Sequence, residues 1–100
     1  MNTTTVKAPR HPGRYLLRTY LEPLGITQKD LADRLRITPT HVNEVVHGKR
    51  GITPETALRL ERLFGMSAHR WIYAQLQWDV WHARRRPKMQ QILAQIDPLG

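Results

Sequence analysis

The chain contains no cysteine, one serine and one phenylalanine among its 100 residues. Without cysteine there is no disulfide framework, no thiolate nucleophile and no Cys-based zinc set, so nothing points to secretion and the expected compartment is the cytoplasm. No eighteen apolar residues run together, and the opening MNTTTVKAPRHPGR has no apolar stretch resembling a signal sequence, so neither a membrane span nor export is expected. Acidic residues are also scarce. Eight Asp and Glu stand against sixteen Lys and Arg, a net charge of +8 that draws the chain toward polyanions, nucleic acid first. Material for catalysis is thin: Ser67 reads as a helix cap, the carboxylates fall singly, and there is no glycine-rich phosphate loop. The histidines, His11, His41, His47, His69 and His82, include no pair at i, i+4. Neither a metal nor another cofactor is expected, and the chain does not read as an enzyme. Its length suffices for one domain with one core.

No segment alternates with period two over enough residues to make a strand, so the expected fold is all-α. Residues 1–10 are polar, basic and aperiodic and read as a flexible arm. From Pro12 the spacing turns helical, with Leu17, Tyr20, Leu21 and Leu24 on one face until Pro23 and Gly25 stop the first helix. Thr27 caps a second helix, about Gln28 to Leu35, which buries Leu31, Ala32 and Leu35. Thr38-Pro39 starts a third that turns Val42, Val45 and Val46 inward and ends at Gly48. The start signal repeats at Thr53-Pro54 for a fourth helix, with Ala57, Leu60 and Phe64 inward and Gly65 at its end. Ser67 caps a fifth that reaches the Arg84-Arg85-Arg86 run, Pro87 breaks it, and residues 88–96 can add one more short helix. The expected division is the arm, a five-helix domain over residues 11–83, and a basic helical extension over 84–100.

Within that domain, residues 27–48 have the spacing of a helix-turn-helix, whose second helix enters the DNA major groove. Its outer face carries short polar side chains that let the backbone approach base edges. Pro39, Thr40, Asn43 and Glu44 are the candidate readers. Asn makes a bidentate contact to adenine, Glu accepts from cytosine N4, and the Thr methyl or Pro ring touches a thymine methyl. Each good bidentate pair discriminates by roughly 1 to 3 kcal/mol. Thr27, Gln28 and Thr38 sit at helix amide ends that bind phosphate. Lys49 and Arg50 follow Gly48 as positioning charges, and His41 is a further phosphate contact, strengthened on protonation. The fifth helix is apolar on two faces, Trp71, Ala74 and Trp78 on one and Ile72, Leu76 and Val80 on the other. A surface helix needs only one. The spare face suits a second subunit, with Trp71, Ala74, Trp78 and Trp81 as the expected homodimer contacts. A dimer places two recognition helices about 34 Å apart, which calls for double-stranded DNA with an inverted repeat.

From His11 to about Val80 the chain resembles the antitoxins of the HigA/VapI type, which carry a lambda-repressor-like helix-turn-helix of the XRE family. The most specific matches are His11-Pro12-Gly13, Leu21-Glu22-Pro23-Leu24-Gly25, Asn43-Glu44, the stretch Gly48-Lys49-Arg50-Gly51-Ile52-Thr53-Pro54, and Trp71 with Gln75 and Asp79. The resemblance implies a dimer that represses its own operon and binds a HigB-type toxin, a ribosome-dependent mRNA-cleaving enzyme. Two other readings remain open on the residues: a stand-alone regulator without a toxin, and a protein-binding adaptor with incidental DNA affinity. The sequence departs from the family at Arg36, where the turn usually has a residue at ease in the left-handed region, and at Trp71-Ile72-Tyr73-Ala74-Gln75. A left-handed Arg36 costs roughly 1 to 2 kcal/mol. Charge is a third departure, because a +8 antitoxin repels the basic toxin usual in the family unless the toxin is acidic or the contact is local.

Overall fold

A computed structural model of the protein describes residues 7–100, and these form six helices with no strand. Of the expected arm, residues 1–6 lie outside the described residues, and 7–10 have no regular structure. The first helix, α1, is continuous over residues 12–24 but changes pitch twice: α-helical Pro12–Leu16, a π turn at Leu17–Leu21, then Glu22–Leu24. Then come α2 (Gln28–Leu35), α3 (Pro39–Val46), α4 (Pro54–Phe64), α5 (Ala68–Arg85) and α6 (Pro87–Ala94).

Pro23 does not stop α1. Proline lacks the N–H that would bond the carbonyl four residues back, and its ring crowds that carbonyl. The wider π turn just before it lets the Glu22 N–H reach Leu17 O instead, so the helix runs through to Gly25. The extra residue also rotates the phase of the apolar stripe. Leu16 and Leu21 are buried and Leu17 and Tyr20 partly so, whereas Leu24, expected inside, is exposed.

Elsewhere the inward faces fall as the spacing predicts. Leu31, Ala32 and Leu35 of α2, the three valines of α3, and Ala57 and Leu60 of α4 meet Trp71 of α5 in one core. Phe64 is only partly buried, stacked on Tyr20 with ring centroids 4.3 Å apart, while Tyr15 sets its edge toward Trp71 at 5.7 Å. This aromatic group ties α1 to α4 and α5.

Two contacts fix α3, the recognition helix, on its support. His11 caps α1, its Nδ1 accepting from the Gly13 N–H at 2.9 Å. Gly13 then lies so close to the end of α3 that a Cβ there would stand 1.8 Å from Val45 O. Only glycine permits that approach. At the other end, Arg36 closes α2 at φ 61 and ψ 41, the left-handed geometry expected to cost roughly 1 to 2 kcal/mol. Three sets of bonds hold it there. The Ile37 N–H reaches back to Ala32 O at 3.0 Å, the Arg36 guanidinium donates to Asp33 O, and Arg59 of α4 donates to Leu35 O and Arg36 O at 2.6 and 3.1 Å. The carbonyls of Ala32, Asp33 and Leu35 at the end of α2 are therefore satisfied, and the turn into α3 is held from a third helix.

Candidate nucleic-acid interface

Thr27 and Thr38 are both caps: their Oγ1 atoms accept from Asp30 N at 3.0 Å and His41 N at 3.1 Å. Each hydroxyl keeps its own proton for a phosphate oxygen. In α2 the N–H groups of Gln28 and Lys29 have no partner within the helix, and the dipole end adds to their pull on an anion. Pro39, Thr40 and Asn43 lie exposed on the outer face of α3. The structure thus brings the first-turn residues of α2 and the outer face of α3 onto one side of the domain.

Gln28 and Asn43 are joined directly. Asn43 Nδ2 donates to Gln28 Oε1 at 3.0 Å, a side-chain bridge between the two helices of the motif. The bond orients the Asn43 amide, leaving its Oδ1 and one Nδ2 hydrogen free. Those are the two groups that pair with the N6 and N7 edge of adenine. Gln28 keeps its own Nε2 to donate to a phosphate. One side chain thereby links a backbone contact to a base contact, a role that its place at the helix start did not reveal.

Glu44 and Arg50, separate candidates in the sequence, form a unit. Arg50 Nη2 and Nε lie 2.7 and 2.8 Å from Glu44 Oε1, and the Lys49 and Arg50 N–H groups close on Glu44 O at 2.8 and 3.2 Å. The carboxylate is already matched by a guanidinium, so it offers cytosine less than a free one would, and the Arg50 charge is partly spent within the protein. Lys49 remains exposed with no ion pair among those of the described residues. His41 departs from its expected role. Its ring turns inward and Nε2 is buried without a partner. Burial, and then the nearby Arg50, hold its pKa below the ordinary imidazole value, against a smaller opposing pull from Glu44. A neutral inward ring does not supply a charged phosphate contact.

Gln75, named in the sequence only among the residues that carry the family resemblance, anchors the loop that carries Lys49 and Arg50. Buried on α5, it accepts from the Ile52 N–H at 2.8 Å through Oε1, while its Nε2 donates to Asp79 Oδ1 at 3.0 Å. This bond spans 23 residues, beyond the reach of any local pattern.

The expected dimer contacts on α5 need correction. Trp71 is wholly buried in the core of its own domain. Trp78 packs between His11 and His82, with ring centroids at 5.1 and 4.1 Å, and Arg85 covers the Trp81 ring at 3.1 Å. Ala74 is half-buried beside a groove against α1. The apolar side chains that α5 leaves exposed are Tyr73, Leu76 and Val80. The period showed two apolar faces, and packing decided that the tryptophan face serves this domain.

A helix-turn-helix family model matches residues 17–71, more than half of the chain. Virulence-associated protein I of Dichelobacter nodosus is 44% identical over 70 residues, covering 70% of this chain and 65% of the relative. This protein is a HigA-type member of the XRE helix-turn-helix family. Among solved structures, the HigA-type chain is similar to the Pseudomonas aeruginosa antitoxin HigA with higBA promoter, at 34% identity and a TM-score of 0.85, covering 92% of this chain and 99% of that one. A HigA-family antidote protein from Coxiella burnetii is 29% identical with a TM-score of 0.83, covering 92% and 99%. The family consists of DNA-binding regulators and antitoxins and is not enzymatic. No described helix of the HigA-type chain is long and apolar enough to cross a membrane.

Proposed function

We propose that the protein is a homodimeric repressor that occupies an inverted-repeat operator upstream of its own gene and, as the antitoxin of a two-gene module, neutralises a HigB-type mRNA-cleaving toxin in the cytoplasm. The Gln28–Asn43 bridge carries the reading, because it sets an adenine-reading amide on the recognition helix and ties it to a residue at a phosphate-binding helix end. Pro39 and Thr40 flank it as thymine-methyl contacts. Thr27, Gln28, Thr38 and Lys49 form the phosphate set, and the Glu44–Arg50 pair sits at the groove edge. Residues 11–83 supply the DNA-binding domain and 84–100 the extension.

Selection from sheared genomic DNA at physiological salt, with excess non-specific competitor, tests the first half of this reading. Enrichment of an inverted repeat with half-sites about 10 to 10.5 base pairs apart, upstream of the protein's own gene, is the expected result. No enrichment above competitor refutes operator binding. Co-expression with a HigB-type toxin encoded beside the gene tests the second half: relief of growth arrest is expected, and persistent arrest, or a gene with no such neighbour, leaves a regulator without an antitoxin role.

A further inference from the structure

A basic cavity at the end of the recognition helix belongs to none of the contacts described above. It has a volume of about 560 Å³ and lies between the start of α1, the end of α3 and Trp78 of α5. Arg10, Arg14 and Arg18 line it together with His47 and Gly48, and no carboxylate does. Arg10 and Arg14 are exposed and have no ion pair among those of the described residues, and Arg18 keeps only a loose one with Glu22 at 3.8 Å. Asp79, next to Trp78 in the chain, is already bonded by Gln75 Nε2 at 3.0 Å. Folding gains nothing from this arrangement. Like charges four apart on a helix repel, and a cation near a helix start opposes the dipole. Arg14, third in α1 and four residues before Arg18, does both. Guanidinium groups gathered on a concave surface without an internal counter-ion are matched to an external anion, and their planar forks suit phosphate oxygens.

Position says which anion this is. His47 shares a face of α3 with Asn43, four residues back, and its Nδ1 donates to Asn43 O at 2.8 Å. The cavity therefore opens beside the base-reading face, at the end of α3 opposite to Thr38. With eight residues, α3 is about 12 Å long, and the major groove is about 12 Å wide. A helix of that length seated in the groove has the backbone of one strand near its start and that of the other near its end. Thr27, Gln28 and Thr38 serve the first strand, and the arginine cavity faces the second.

We propose that Arg10, Arg14 and His47 form a second phosphate site, outside the helix-turn-helix, that takes the backbone of the opposite DNA strand as it passes the end of α3. This rests on the DNA-binding reading above and adds α1 to its contacts. Arg10→Gln and Arg14→Gln test it in the full chain, with Arg62→Gln on α4 as a control that removes one exposed charge elsewhere. In anisotropy titrations from about 50 to 200 mM salt, each cavity variant should lower the salt slope by about 0.9 per copy bound, on the operator and on a scrambled duplex alike. Arg62→Gln should leave the slope nearly unchanged. Melting of the free protein should stay level or rise in the cavity variants, since a repulsion is relieved. Ethylation interference on the operator should lose signal on one strand only of each half-site. Unchanged slopes, slopes lowered as much by Arg62→Gln, or interference lost on both strands overturn the site. A parent that selects no operator refutes the operator reading by itself; a slope lowered on the scrambled duplex then still supports the cavity, and an unchanged one overturns it. Quenching of Trp78 fluorescence by inorganic pyrophosphate, absent in Trp78→Phe and accompanied by unchanged slopes, reassigns the cavity to a soluble phosphate and overturns the backbone contact.

Discussion

Gln28→Ala deletes the acceptor that holds Asn43 across the two helices of the motif and touches nothing in the core, so its effect should appear in DNA recognition and not in folding. The bond is exposed and 3.0 Å long. A hydrogen bond of this kind contributes about 0.5 to 1.5 kcal/mol net, which corresponds to about a 2- to 13-fold loss of operator affinity. Asn43→Ala removes the reader itself and should cost roughly 1 to 3 kcal/mol on the operator. Loss of the Gln28 Nε2 phosphate contact should lower binding to every duplex alike, and because the Oε1 contribution acts through Asn43, the double variant should lose less than the sum of the two by about 0.5 to 1.5 kcal/mol. The assay is fluorescence anisotropy on the selected operator and on a scrambled duplex at matched salt. Gln28→Glu supplies a control, since it keeps the acceptor while placing a negative charge near phosphate. It should weaken both duplexes yet preserve more of their ratio than Gln28→Ala does. Strictly additive losses, or a Gln28→Ala loss on the operator no larger than the sequence-independent loss on the scrambled duplex, would refute the bridge as the element that orients Asn43.

Three further expectations follow from the geometry. Glu44→Ala frees Arg50 from its 2.7 Å partner, so binding to all sequences should strengthen and the salt slope should steepen by about one; a loss of 1 to 3 kcal/mol confined to the operator, with the slope unchanged, would restore Glu44 as a base reader. Gly13→Ala forces a methyl onto Val45 O and should destabilise by about 1 to 3 kcal/mol, as α1 is pushed from the end of α3; an unchanged thermal midpoint contradicts the close approach. Burial holds His11 below its ordinary value of 6.5, opposed by Asp79, and His41 is lowered likewise. Both stay neutral in the folded protein where the unfolded chain already binds protons. Their contribution is therefore complete above about pH 6.5 and is lost as the pH falls toward the lowered folded values. Melting midpoints should decline over that window, and His11→Asn, which can still cap α1, should flatten the decline.

Local rules carried much of the fold. Thr27, Thr38, Thr53 and Ser67 cap the helices they were expected to start, and the inward triads of α2 and α3 are those their spacing picks out. A cap and a 3.6-residue stripe are decided within one or two turns of chain, so both are legible in sequence. The first helix was misread where one proline changed the period: the π turn at Leu17–Leu21 moved the stripe, and no residue count anticipates a bond taken five residues back.

The site divides along the same line. Residue types and spacing determined by themselves that α3 would present Thr40, Asn43 and Glu44 outward, that basic residues would follow Gly48, and that α5 would be apolar on two faces. Tertiary structure alone decided that Asn43 answers to Gln28, that Glu44 is spent on Arg50, that Gln75 anchors the loop before α4, and that Trp71 belongs to the core while Tyr73 and Leu76 stay outside. A hydrophobic period shows that a face must be covered but not by what, and a polar side chain shows its hydrogen-bonding capacity but not its partner. Where the partner lies 15 or 23 residues away, only the packing of one helix on another brings the two within 3 Å.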